Sequence, residues 1–170
     1  ISEGGYIAFV MELVEGTTLY KARKRSDQLP IVSIAAQIEL MIEYLHDHYV
    51  MYRDLKPENI MYNPKKGTVK LIDFGLAHRL DGPHAYTTGQ SGTPPFMAPE
   101  ILAGPNAHCS YPADWYAFGL VIYELISGRN PFDNIKETTI LHNQINQGFD
   151  CNLSDRPGCH LIAHLTEHDP

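Results

Sequence analysis

Residues 114–128, DWYAFGLVIYELISG, constrain the fold more than any other stretch of the chain. Apolar side chains cover nearly every side of the helix that this run would make, and Gly128 stands where such a helix would end. A helix without a broad polar face has to be enclosed by other elements. It therefore predicts the central post of a mostly helical body. The alternative use of an apolar helix, crossing a bilayer, needs roughly 20 apolar residues. The core of this run, FGLVIYELI, is short and carries Glu124.

The flanking sequence supplies elements to surround the post. From Pro30 to about Tyr49, Ile34, Ile38, Met41, Ile42 and Leu45 recur at helical spacing, with Pro30 suited to a helix start, so a long amphipathic helix is expected there. NIMYN and TVKLIDF flank PKKG and read as two short strands around a turn. Near the start, YIAFVMEL (6–13) reads as a strand running into the turn VEGTT. Residues 74–112 are rich in Gly, Pro, Ser and Thr without sustained periodicity and predict a long ordered loop. Loops above about 12–15 residues inside a compact domain are usually functional or disordered. Weaker helical patterns lie around 136–147 and 159–167, and no internal repeat is present.

Composition narrows the function classes. With 170 residues, 44% apolar and 19% charged, the chain suits one compact unit. A net charge of -7 argues against general attraction to nucleic acid or anionic lipid, and the basic cluster KARKR (21–25) reads as a solvated helix face. Cys109, Cys151 and Cys159 form no paired metal-ligand pattern, and their odd number implies reduced, structural thiols in a cytoplasmic or nuclear compartment. His160, His164 and His168 share a helix face, an arrangement able to hold a metal; with no fourth ligand in sight, a surface stripe is the favoured reading.

The chemistry concentrates in MYRDLKPENIM (51–61), which packs one arginine, two acids, a lysine and an asparagine between apolar neighbours. YRDLKPEN (52–59), DFG (73–75) and APE (98–100) stand in the order and approximate spacing of the eukaryotic protein kinase catalytic domain, which the whole chain resembles. DLKPEN and GTPPFMAPE give the resemblance a serine/threonine character. YRD, together with ADWYAFGLVIYELISGRNPF, makes it most similar to the AGC group. The implied fold is α+β, a kinase-like, mostly helical C-terminal lobe with short β-hairpins. Residues 1–170 would form a partial domain, hinge plus C-terminal lobe, cut at both ends.

The resemblance also implies roles. Asp54 would orient the acceptor hydroxyl and take its proton, Lys56 would face the γ-phosphate of ATP, and Thr93 would bond to both. Asn59 and Asp73 would hold Mg²⁺, with Phe74 packing to keep Asp73 inward and Gly75 allowing the backbone to turn. Tyr52 would fill a buried scaffold position, and Asp114 would bind backbone amides of the catalytic loop. On the nucleotide side, Met11, the Glu12 carbonyl, the Val14 amide and Met61 would line the adenine, and Glu58 would border ribose and substrate. For Met11, Glu12, Val14 and Met61 the alternative is core packing, which Met11 and Met61 would satisfy equally well; only the register favours nucleotide contact.

The partners implied are a protein substrate with a Ser/Thr acceptor and an upstream activating kinase. Arg53 would meet a phosphorylated residue, with His78 as a second basic partner, and Thr88 is the leading acceptor beside Thr87 and Ser91, because the usual position falls on Gly89. A preference for basic substrates is expected to be weakened, since Glu58 and Glu124 are present but Thr18 stands at a third acidic position. The 170 residues contain no Gly-rich phosphate loop and no VAIK lysine, so by themselves they are expected to be nearly inactive. The competing reading is a pseudokinase-like binding scaffold. It is weakened by the presence of Asp54, Asn59 and Asp73.

Overall fold

A computed structural model describes residues 2–3, 6–7, 10–26, 28–133, 135, 139 and 159–166. In chain order they form β1 (Ser2–Glu3), β2 (Tyr6–Ile7), β3 (Thr17–Thr18), α1 (Leu19–Arg25), α2 (Ile31–Asp47), β4 (Val50–Met51), β5 (Ile60–Asn63) and β6 (Thr68–Leu71). There follow β7 (His78–Arg79), β8 (Thr87–Thr88), α3 (Pro99–Leu102), β9 (His108–Cys109), α4 (Pro112–Ser127) and α5 (Cys159–Leu165). Short 3₁₀ turns occupy Pro57–Asn59 and Pro94–Phe96.

Helix α4 is the post that the sequence predicts. Every residue from Tyr116 to Ile126 is buried, and Gly128 closes the helix at φ 86°, a left-handed conformation that glycine adopts without strain. Helix α2 packs against it through Ile34, Ile38 and Ile42. Fully burying each such side chain contributes about 1.5–3 kcal/mol. On another side lies α5, and Gly119 permits its approach: a Cβ there would lie 2.8 Å from the Thr166 side chain.

The β structure is a set of small pairings. β3, β5 and β6 form an antiparallel sheet in that order, with Ile60 opposite Leu71 and Asn63 opposite Thr68. β4 pairs with β7, β8 with β9, and β1 with β2. The β5–β6 pair is the hairpin expected around PKKG, although its second strand ends at Leu71, before Asp73. Mostly helical content with short strand pairs agrees with the expected kinase-like fold class.

Three expectations need correction. The strand expected over 6–13 is described only at Tyr6–Ile7. Residues 10–16 are irregular, and Val10, Met11 and Leu13 are 84%, 79% and 89% exposed. No described strand pairs with 10–13, and an extended segment without a ladder partner does not become a strand. Arg23 in the basic cluster is half-buried rather than solvated, its Nε donating to the Leu125 carbonyl at the end of α4 at 2.8 Å. The loop 74–112 holds short elements that no periodicity announces. The helix expected at 136–147 lies outside the described residues apart from Thr139, as do Cys151 and His168. His160 and His164 are exposed on α5, and no metal-ligand cluster occurs among the described residues. Cys109 is buried as a free thiol, and burial pushes it up to about 11. No described helix is long and apolar enough to cross a membrane.

Candidate active site

The loop 52–59 is held from below by the first turn of α4. Asp114, 1% exposed, accepts the backbone N–H of Tyr52 through Oδ2 and that of Arg53 through Oδ1, each at 2.8 Å. His46 Nε2 donates to the same Oδ2 at 2.9 Å. Arg53 adopts φ 69°, a left-handed conformation that costs a non-glycine residue about 1–3 kcal/mol, and the bond from its N–H to Asp114 helps to offset that strain. His46 was not singled out by the sequence reading. Its signal is the buried series Ile34, Ile38, Ile42, whose next step on α2 is a histidine rather than an apolar residue.

Above this anchor a ring of polar side chains closes on Asp54. Thr93 Oγ1 donates to Asp54 Oδ1 at 2.6 Å, Lys56 Nζ reaches Asp54 Oδ2 at 2.8 Å and Thr93 Oγ1 at 2.7 Å, and Asn59 Nδ2 donates to Asp54 Oδ2 at 2.8 Å. Asn59 Nδ2 also donates to the Asp54 carbonyl at 2.9 Å. Pro57 begins the 3₁₀ turn that brings Asn59 back over Asp54. A carboxylate offers about four lone-pair sites. Three side-chain donors leave Asp54 able to accept one more. Thr93 arrives from the distant loop through Gly92 at φ 127°, where a Cβ would stand 2.7 Å from the Arg53 carbonyl; only glycine fits that crossing.

Asp73 is tied to this ring through the backbone, since the Ile72 N–H donates to the Asn59 carbonyl at 2.9 Å. The left-handed residue of DFG is Asp73, at φ 62°, and not Gly75. Gly75 instead donates its N–H to Asp73 Oδ1 at 3.1 Å, and a Cβ on it would crowd that same oxygen. Asp73 is exposed rather than held inward, and Phe74, half exposed, meets the Tyr52 ring edge-to-face at 5.2 Å. The Tyr52 hydroxyl donates to the Ile72 carbonyl. Burial raises the pKa of Tyr52, and the charges of Asp54, Asp73 and Asp114 raise it further, so the phenol stays a donor.

The residues expected on the nucleotide side are less firmly placed. Glu12, Val14 and Met61 line one groove of about 370 Å³ together with Lys66 and Lys70, whereas Met11 stands outside its lining and is not packed in the core. Lys70 Nζ meets Glu12 Oε1 at 2.5 Å, and Lys66 Nζ meets Glu15 Oε2 at 2.8 Å. Glu58 is exposed on the 3₁₀ turn. Glu124 is buried on α4; that burial, then the charges of Glu58 and Asp133, raise it to about 7 against the opposing pull of Lys24 and Arg23.

Of the residues expected around a phosphate, Arg53 makes no ion pair, and its buried Nε finds no hydrogen-bond partner, among the described residues. Thr88 is exposed and Thr87 half-buried in β8, while Ser91 lines the cavity beside Arg53 and Asp54. His78 lies exposed in β7.

Residues 1–163 match the family described as protein kinase domain. The chain is 43% identical over 137 residues to developmentally-regulated protein kinase 1 of Dictyostelium discoideum, covering 79% of this chain and 19% of that protein. To a cGMP-dependent protein kinase of Plasmodium berghei it is 44% identical over 135 residues, 78% of this chain and 15% of the relative. To cAMP-dependent protein kinase catalytic subunit 2 of Drosophila melanogaster it is 39% identical over 130 residues, 75% and 35% of the two chains. The chain thus spans well under half the length of these relatives. With the YRDLKPEN, DFG and APE stretches in place and this family matched almost end to end, the chain belongs to the protein kinase domain family and is most similar to its AGC group.

Proposed function

We propose that the protein is a serine/threonine kinase that transfers the γ-phosphate of ATP to a protein hydroxyl, and that these 170 residues carry its proton-accepting and metal-holding groups. The observation that supports this most is the ring around Asp54. The carboxylate is fixed by Thr93, Lys56 and Asn59 yet retains acceptor capacity toward an incoming hydroxyl. As the acceptor oxygen bonds to the γ-phosphorus and the bond to the β-phosphate oxygen breaks, the hydroxyl proton passes to Asp54, giving ADP and a phosphoprotein. Lys56, already beside Asp54, places its ammonium where negative charge gathers on the transferring group.

The oxygen donors fit Mg²⁺. Asn59 spends its amide nitrogen on Asp54, leaving Oδ1 for a metal, and Asp73 is an exposed carboxylate that accepts the Gly75 N–H. Hard oxygen ligands of this kind suit Mg²⁺, which when bound supplies positive charge to the phosphate oxygens. Glu12, Val14 and Met61 would border the adenine and Glu58 the ribose, with Met11 at the outer edge. Glu58 and Glu124 would give a modest preference for a basic residue near the acceptor.

The test is phosphate transfer from labelled ATP to Ser- and Thr-containing peptides by the protein expressed from its complete reading frame. Transfer that falls about 10²–10⁴-fold in Asp54→Asn is expected. Absence of transfer in the wild type would favour a binding scaffold, and transfer unchanged in the variant would remove Asp54 from the mechanism. The 170 residues alone are expected to transfer negligibly. Asp54-dependent activity from that piece would contradict this.

A further inference from the structure

Residues 80–93 have to bring Thr93 to Asp54 without a helix or long strand of their own, and their attachments converge on one place. Thr87 and Thr88 pair antiparallel with Cys109 and His108, and the Gly89 N–H donates to the Ala107 carbonyl at 3.2 Å. The Tyr86 ring stacks on His108 with centroids 4.1 Å apart and planes 17° from parallel. Further back, the Tyr111 hydroxyl donates to the Gly82 carbonyl at 3.0 Å. All four attachments reach the loop between α3 and α4.

That loop is itself fixed. Ala107 and Cys109 are buried, and Pro112 starts α4, whose Asp114 holds the amides of Tyr52 and Arg53. The segment carrying Thr93 and the loop carrying Asp54 are thereby referenced to the same post. Meanwhile Arg53, the cation a phosphate would meet, makes no ion pair among the described residues; it lies near enough to Cys109 to pull that thiol's pKa down against burial. The two threonines that could accept a phosphate are engaged as strand residues, and Gly89 follows them at φ 114° with no hydroxyl at all.

We infer that residues 104–111 are a built-in strap, with Tyr86 and His108 as positioning residues, which holds Thr93 in reach of Asp54 and Lys56 without phosphate on Thr87 or Thr88. The inference rests on the kinase reading for its effect on activity, and its structural half can be tested apart from that reading. A two-residue ladder is marginal alone. Here a ring stack and a buried anchor reinforce it.

The experiment uses the protein from its complete reading frame, treated with phosphatase and shown by mass spectrometry to be unmodified over 84–93. Hydrogen exchange of that peptide is followed together with kcat and KM for a Ser peptide and for ATP. The strap predicts slow exchange at 86–89 in the dephosphorylated wild type and in Thr87→Val/Thr88→Val, with kcat/KM preserved within about two-fold. His108→Gly should speed that exchange and raise the peptide KM about three- to ten-fold, leaving the ATP KM unchanged, and His108→Phe should restore both. Tyr86→Ala, which removes the other ring of the same stack, serves if His108→Gly unfolds. Fast exchange in the dephosphorylated wild type, or activity that returns only when Thr87, Thr88 or Ser91 is phosphorylated, would overturn the strap. If no form of the protein transfers phosphate, the kinase reading fails while the exchange measurement still decides whether the strap exists.

Discussion

Asp54 accepts hydrogen bonds from three side chains and sits in a loop whose backbone is bonded to a buried acid; across the site, Met11 is 79% exposed and Glu12 is held by one surface lysine. The loop 52–59 is defined chiefly by buried groups whose bonds are made inside the protein. Two of its amides face α4, and leaving them unsatisfied in the interior would cost more than any surface contact returns. Residues 10–16, apart from half-buried Val14, face water, where alternative partners are always present. The difference teaches which half of the site is set by the fold itself. Variants on the two sides should therefore differ in kind as well as in size.

The largest effect is expected at Asp114. Asp114→Ala removes the acceptor of two backbone N–H groups and of His46 in a site that is 1% exposed. Loss of about 3–5 kcal/mol of stability is expected, read by urea or thermal unfolding. His46→Ala, which leaves the two amides bonded, should cost less. If both variants unfold with the wild type, the loop is not held from below and the contrast between the two sides collapses.

A second buried acid on the same helix sharpens the point. Glu124 is 8% exposed and no hydrogen bond to its carboxylate occurs among the described residues, so burial raises it to about 7 from its ordinary 4.5. The folded state then holds that proton more tightly than the unfolded chain. Stability should fall as pH rises from about 4.5 toward 7, by up to about 3 kcal/mol, with Glu58 and Asp133 adding to the penalty and Lys24 and Arg23 relieving it. Glu124→Gln should flatten that slope. Parallel pH profiles for the two proteins would mean that a cation already reaches the carboxylate.

The same contrast decides what could be read from the sequence. Helices α2 and α4 were legible because their apolar spacing records burial directly, and Gly128 and PKKG marked where elements end or turn. The ladders β4–β7 and β8–β9 were not, because a two-residue strand has no period and exists only through a partner far along the chain. The strand over 6–13 was overread for the converse reason, its apolar residues being present without a described ladder partner. Asp54, Lys56, Thr93 and Asn59 came from the resemblance, and the structure brings all four together. His46 escaped because a polar step in an apolar stripe was not weighed as a partner for a buried acid. That DFG turns at Asp73 and not at Gly75 is backbone detail that residue type alone assigned wrongly.

The smallest effect should come from the exposed side. Lys70 donates a hydrogen bond to Glu12 and holds its carboxyl below the ordinary range, with the Lys70 and Lys66 charges assisting. A depressed carboxylate pKa gives stability that is present above its unfolded value and lost as pH falls through the folded one. Both side chains are largely exposed, however, so water and salt screen the pair, and ordering two long side chains opposes its gain. Glu12→Gln should leave the unfolding temperature within about one degree of wild type, at low and at high salt alike. A larger, salt-sensitive fall would show that residues 10–16 are held as firmly as the loop around Asp54. An unchanged melting temperature with an altered KM for ATP would instead separate nucleotide contact from stability on that side, which is what a segment facing a ligand rather than the core should show.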